Sequence, residues 1–143
     1  MVHSIAQTII DQFSQQAGVS AILLFGSYAT GKIKSDSDID IAVLFEPQNI
    51  PSPMELWELK EKLAETLLVE VDLVCLNHAD PIIANQIYAC HQPILINNIK
   101  ALQEYFMLLS SEYAELKEFI KPMEDRILER KYYAKRCNPK ENQ

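Results

Sequence analysis

The sequence predicts an α/β fold: a small mixed β-sheet flanked by helices, with a helical extension at its C-terminal end. Three observations carry this. Apolar, strand-like runs near 20–25, 38–45 and 70–76 alternate with stretches whose apolar residues recur every three or four positions. At 143 residues and 48 % hydrophobic side chains, the chain has the size and apolar content of one domain with a real core. From Asn98 only the helical spacing persists, which divides a core at 1–97 from a helical extension at 98–136 and a loose tail at 137–143.

The elements follow in order. Ile5, Ile9, Ile10 and Phe13 lie at helical spacing between Ser4 and Ala17, and Gly18 marks the stop. Ser20 to Phe25 is almost wholly apolar, as a buried central strand would be, and Gly26 ends it. Tyr28 to Gly31 suits a single helical turn, and Lys32 to Ser37 a loop. In Asp38 to Phe45, strand alternation puts Asp38, Asp40, Ala42 and Leu44 on one face and Ile39, Ile41, Val43 and Phe45 on the other.

Ser52-Pro53-Met54-Glu55 combines a capping box with proline at the first helical position. It opens a helix whose stripe is Leu56, Leu59, Leu63 and Leu67, with Trp57 expected in the core or at its rim. Val69 to Leu76 is a β-branched run with Asp72 inside it, expected to be partly buried. Asp80-Pro81 opens another helix with Ile83, Ile87 and Cys90 facing inward, and an Ile-Leu-Ile run follows Pro93 as an edge strand. Ile99, Leu102, Phe106, Leu109, Tyr113, Leu116 and Ile120 then form a narrow seam, suited either to covering the sheet or to docking a partner.

A net charge of -7 and a pI near 4.9 argue against a protein that tracks a nucleic-acid backbone. The N-terminal residues lack the basic start and apolar core of a signal peptide, and no apolar run approaches the roughly 20 residues of a membrane span. The expectation is a soluble, cytoplasmic protein. Cys75, Cys90 and Cys137 have no zinc-ligand spacing and read as free thiols, while His3, His78 and His91 are scattered and read as surface residues.

Chemistry concentrates between Leu24 and Phe45, with Asp72 added. A glycine turn lets backbone N–H groups approach an anion, and the Ser27 hydroxyl adds a donor, so Gly26-Ser27 suits a polyphosphate. Asp38 and Asp40, on one strand face, suit one or two Mg²⁺ ions, which favour carboxylate and phosphate oxygens. Asp72, on a neighbouring strand, would complete a two-metal site that holds a triphosphate and activates an attacking hydroxyl. Singly, a Gly-Ser turn or two aspartates at a strand end is commonplace; the three in this order are not.

Gly26-Ser27, ten residues, then Asp38-Ile39-Asp40 resembles the signature of the DNA polymerase β-type nucleotidyltransferase superfamily, and Asp72 matches its third carboxylate. The wording GSYATGKIKSDSDIDIAVLF and the short chain are similar to the minimal nucleotidyltransferases (MNT), members of which act as antitoxins to HEPN-domain ribonuclease toxins. The resemblance implies a polymerase β-like fold, Mg²⁺ as a pair of ions, ATP as substrate and transfer of AMP to a tyrosine of a HEPN toxin partner. It implies Asp38, Asp40 and Asp72 as catalytic metal ligands and Gly26, Ser27, Ser37 and Lys34 as nucleotide-binding residues. Many relatives carry arginine where this chain has Thr30, and Lys32 or Lys34 is the cationic substitute at hand. Transfer to a small molecule such as an aminoglycoside, and an antitoxin that only occludes its toxin, are the rival expectations; the lack of room for a second substrate domain weighs against the first.

Overall fold

A computed structural model of the chain describes residues 2–31 and 38–112. The elements are α1 (Val2–Phe13), β1 (Val19–Phe25), α2 (Ser27–Thr30), β2 (Ile39–Phe45), α3 (Pro53–Leu67), β3 (Val71–Cys75), α4 (Pro81–Ala89) and β4 (Gln92–Ile96). A final helix, α5, is described over 99–112. The expected loop at Lys32 to Ser37, the seam beyond 112 and the tail lie outside the described residues.

The strands form one mixed sheet in the order β3-β2-β1-β4. β2 runs antiparallel to β1 and parallel to β3, and β4 is antiparallel to β1 at the other edge. Parallel pairing needs a crossover, and α3 supplies it. Its start is the capping box read in the sequence: the Ser52 Oγ accepts from Glu55 N at 3.2 Å, and the Ser52 N–H donates to Glu55 Oε1 at 3.0 Å. At the start of α4, Asp80 Oδ1 accepts from Ile82 N at 2.8 Å, with Pro81 just inside the helix.

Each sheet face has its own core. Ile22, Leu24, Ile39, Ile41, Val43 and Phe45 point to one side and pack against α1 and α3 through Ile9, Phe13 and Leu63. Ala21, Leu23, Phe25, Ala42 and Leu44 point to the other, beneath Ile87 of α4 and Leu102 of α5. Leu63 is fully buried. Leu63→Ala removes three buried carbons and leaves a cavity, so thermal or urea unfolding should show a loss of about 2–5 kcal/mol.

Several expectations change here. Trp57 is 55 % exposed, because it sits one position off the α3 stripe and faces solvent. Asp72 is exposed, since β3 is an edge strand and Asp72 stands near its open end. Of the three α4 residues expected inside, Ile87 and Cys90 are buried but Ile83, in the first turn, is 41 % exposed. Cys75 is a buried free thiol as expected, whereas Cys90 is disulfide-bonded. His78 is exposed, but His91 is half-buried, its ring stacked on Phe106 with centroids 5.6 Å apart.

Within 99–112 the seam covers the sheet: Leu102 and Leu109 are buried and Tyr105 and Phe106 pack beside the second core, while Ile99 is 53 % exposed. The Tyr105 hydroxyl donates to the Leu76 carbonyl at 2.8 Å. Burial, reinforced by the charges of Glu112 and Cys75, pushes that hydroxyl up to about 12 from its usual 10.0. The folded chain then holds the proton at a pH where the unfolded chain has lost it. Stability from this group is therefore complete below pH 10 and declines between about pH 10 and 12, and Tyr105→Phe should flatten that part of a pH–stability curve.

Candidate active site

The three aspartates come together because of sheet register. Asp40 pairs with Asp72 across the parallel β2–β3 ladder, and with Phe25 across the β1–β2 ladder. Asp38 precedes β2 by one residue and shares Asp40's face by strand alternation. This is the face that α4 and α5 cover further along; the carboxylates lie past the end of that cover. A cavity of about 520 Å³ opens there, and Gly26, Ser27, Asp38, Asp40 and Asp72 all line it.

Gly26 is needed for geometry as well as for access. Its backbone, at φ 68 and ψ -144, lies where residues with a side chain are strained. A Cβ at this position would collide with Asp40 Oδ2 and stand 3.0 Å from Asp40 Cγ. The glycine turn and the aspartate are thus one packed unit. Directly after it α2 begins, with its first N–H groups at the cavity, and Gly31, at φ 77, closes that turn by donating to the Ser27 carbonyl.

Carboxylates set side by side on neighbouring strands repel one another, so the cluster calls for a cation. Among the described residues, however, no three ligand side chains stand close enough to make a finished metal cage. These two facts agree for Mg²⁺, which is commonly bound by one or two carboxylates and completed by waters and substrate phosphates. The all-oxygen donor set, with the Gly26-Ser27 turn beside it, fits that ion.

Four lining residues were not picked out in the sequence: Phe25, Val74, Ile83 and Gln86. Ile83 and Gln86 lie one turn apart on α4 and form the wall above the aspartates. Gln86 is only 5 % exposed, and a glutamine inside the apolar stripe of a helix was the signal available. Lys32, Lys34 and Ser37 lie outside the described residues.

The sequence profile described as "Polymerase beta, Nucleotidyltransferase" matches residues 7–100, which run from within α1 to the start of α5 and hold every lining residue of the cavity. The chain belongs to this nucleotidyltransferase family. Among individual members, the protein adenylyltransferase MntA of Thermococcus cleftensis is 42 % identical over 73 residues, covering 51 % of this chain and 72 % of that one. The protein adenylyltransferase MntA of Shewanella oneidensis is 44 % identical over 66 residues, 46 % of each chain. A Methanocaldococcus jannaschii relative is 50 % identical over 56 residues, and the match spans 56 % of its length.

Similarity in three dimensions reaches further along this nucleotidyltransferase. A chain of a toxin–antitoxin crystal structure with AMP-PNP matches with a TM-score of 0.75 and 28 % identity, over 86 % of this chain and 98 % of that one. A structure of a tri-AMPylated Shewanella oneidensis HEPN toxin in complex with MNT antitoxin contains a chain that matches with a TM-score of 0.72 and 26 % identity, over 90 % and 99 %. No helix among the described residues is long and apolar enough to cross a membrane.

Proposed function

We propose that this chain is a cytoplasmic antitoxin that transfers AMP from ATP to a tyrosine of a HEPN ribonuclease and so neutralises it. The observation that carries this reading is the convergence of Gly26, Ser27, Asp38, Asp40 and Asp72 on one cavity. The names of two relatives, protein adenylyltransferase MntA, and the structurally similar MNT antitoxin in complex with a tri-AMPylated HEPN toxin support it.

In this mechanism the N–H groups at the start of α2 and the Ser27 hydroxyl hold the triphosphate oxygens, with Lys34 and Ser37 approaching from the following loop. Asp38, Asp40 and Asp72 would hold Mg²⁺, and the bound ion would supply neutralisation of phosphate charge and a lowered pKa for the acceptor hydroxyl. Asp72, exposed on the edge strand, stands where an incoming acceptor arrives and orients its oxygen. That oxygen attacks the α-phosphorus, the bond from the α-phosphorus to the β-bridging oxygen breaks, and pyrophosphate leaves. Positioning and charge stabilisation carry the rate, because little covalent work falls to the protein.

Label placement tests the reaction. With the HEPN protein encoded beside this chain, α-labelled ATP should mark the acceptor protein and γ-labelled ATP should release labelled pyrophosphate only. Label from the γ-position on the acceptor would replace nucleotidyl transfer by phosphoryl transfer.

A further inference from the structure

An acceptor carried by a protein must settle on whatever surrounds Asp72, and the surface leading to that strand is unusual. The α3 helix ends at Leu68, whose backbone is left-handed at φ 60, the only non-glycine residue with positive φ among those described. Glycine adopts this helix-ending conformation without strain; leucine does so at a cost. The side chain does not recover that cost by burial, since Leu68 is 86 % exposed. Trp57, 55 % exposed, and Met54, 64 % exposed, lie on the same outer face of α3.

Trp57, Leu68 and Val69 line an open groove that is rimmed by Glu61, Glu65 and Glu70. The groove lies on the α1/α3 side of the sheet and shares no lining residue with the active-site cavity, and the two approach each other at the start of β3. The Glu70 backbone carbonyl accepts a hydrogen bond from the Ile39 N–H at 3.0 Å, beside Asp38, and Leu68 precedes Asp72 by four residues, a reach of roughly 14 Å at most.

We propose that this groove is the docking surface for the acceptor protein, an inference that rests on the reaction proposed above. Its occupant is an apolar side chain ringed by Lys or Arg on the acceptor, which brings the modified tyrosine over Asp72. The sign of the rim selects this occupant. A second copy of this chain would set three carboxylates against the same three, in a molecule of net charge -7, and an anionic membrane or nucleic acid would be repelled in the same way. A half-exposed tryptophan has the character of the aromatic anchors at interface centres, and the exposed Leu68 extends the apolar patch beside it.

The test uses full-length protein, ATP and the HEPN protein encoded beside this chain. Leu68→Gly should raise KM for the acceptor protein about tenfold, leave KM for ATP within about twofold, and raise the melting temperature, because it relieves the strain at φ 60. Glu61→Lys with Glu65→Lys should also raise the acceptor KM and weaken its dependence on salt. If wild type modifies the acceptor and both variants keep its KM, the docking surface is wrong and the reaction stands. If Leu68→Gly melts lower than wild type, the leucine serves this fold and the proposal fails. If wild type binds ATP but transfers nothing to the acceptor, the reaction and the docking surface fall together.

Discussion

Asp40→Asn should lower AMP transfer by about three orders of magnitude, some 4 kcal/mol of transition-state stabilisation, while leaving the fold intact. Asparagine has the shape of aspartate, so it fits the same space against Gly26, and the β2 core residues on either side are undisturbed. What it removes is a negative charge from a cavity whose chemistry depends on holding cations against phosphate. The same change removes repulsion between Asp40 and its register partner Asp72. In magnesium-free buffer the variant should therefore melt at or above the wild-type temperature while losing activity, the opposing changes expected of a residue kept for function. Calorimetry beside a transfer assay measures both. The variant also separates chemistry from occlusion, because a toxin restrained only by being covered would stay neutralised by Asp40→Asn.

Gly26→Ala should lose both stability and activity. The backbone at φ 68 strains any side chain, at about 1–2 kcal/mol, and the added methyl meets the Asp40 carboxylate, which must swing away. Displacing that carboxylate by even about 1 Å costs on the order of 100-fold in rate. The two effects can be separated by a double-mutant cycle. Asp40→Ala in the Gly26→Ala background removes the collision, so the pair should be more stable than the sum of the single changes predicts, by more than about 0.5 kcal/mol, and remain inactive. Additive stabilities would mean that the turn and the carboxylate are not in contact.

What was legible in the sequence was mostly short-range. The Ser52–Glu55 capping box, the Asp80-Pro81 helix start and the alternation that puts Asp38 and Asp40 on one face each depend on neighbours within four residues, and each has its counterpart in the structure. The glycine turn was read as a place for close approach, but that the group approaching is Asp40 itself depends on β1–β2 register, which local pattern does not specify. The same limit explains Asp72. A β-branched run suggests burial, and only the strand order, with β3 at the edge, shows why its aspartate is exposed. Trp57 sits one step off its helical stripe and faces solvent, whereas Ile83 lies on the stripe but in the first turn of α4, where the stripe lines a cavity instead of the core; spacing alone does not distinguish these. Gln86 went unread because its surroundings come from a strand and a turn distant in sequence.

The family resemblance reached the right group through residues 22–45, and the match over residues 7–100 places the described site inside the same family. The helical seam, open in the sequence to two uses, covers the sheet through Leu102 and Leu109 in its described part.

The most direct measurement of AMP transfer to a protein tyrosine is the intact mass, with peptide mapping, of the HEPN protein encoded beside this chain after incubation with wild-type enzyme, ATP and Mg²⁺. The expected result is a mass gain of one or more AMP units on a tyrosine, absent with Asp40→Asn. An unmodified HEPN protein in the presence of folded, ATP-binding wild type would contradict it.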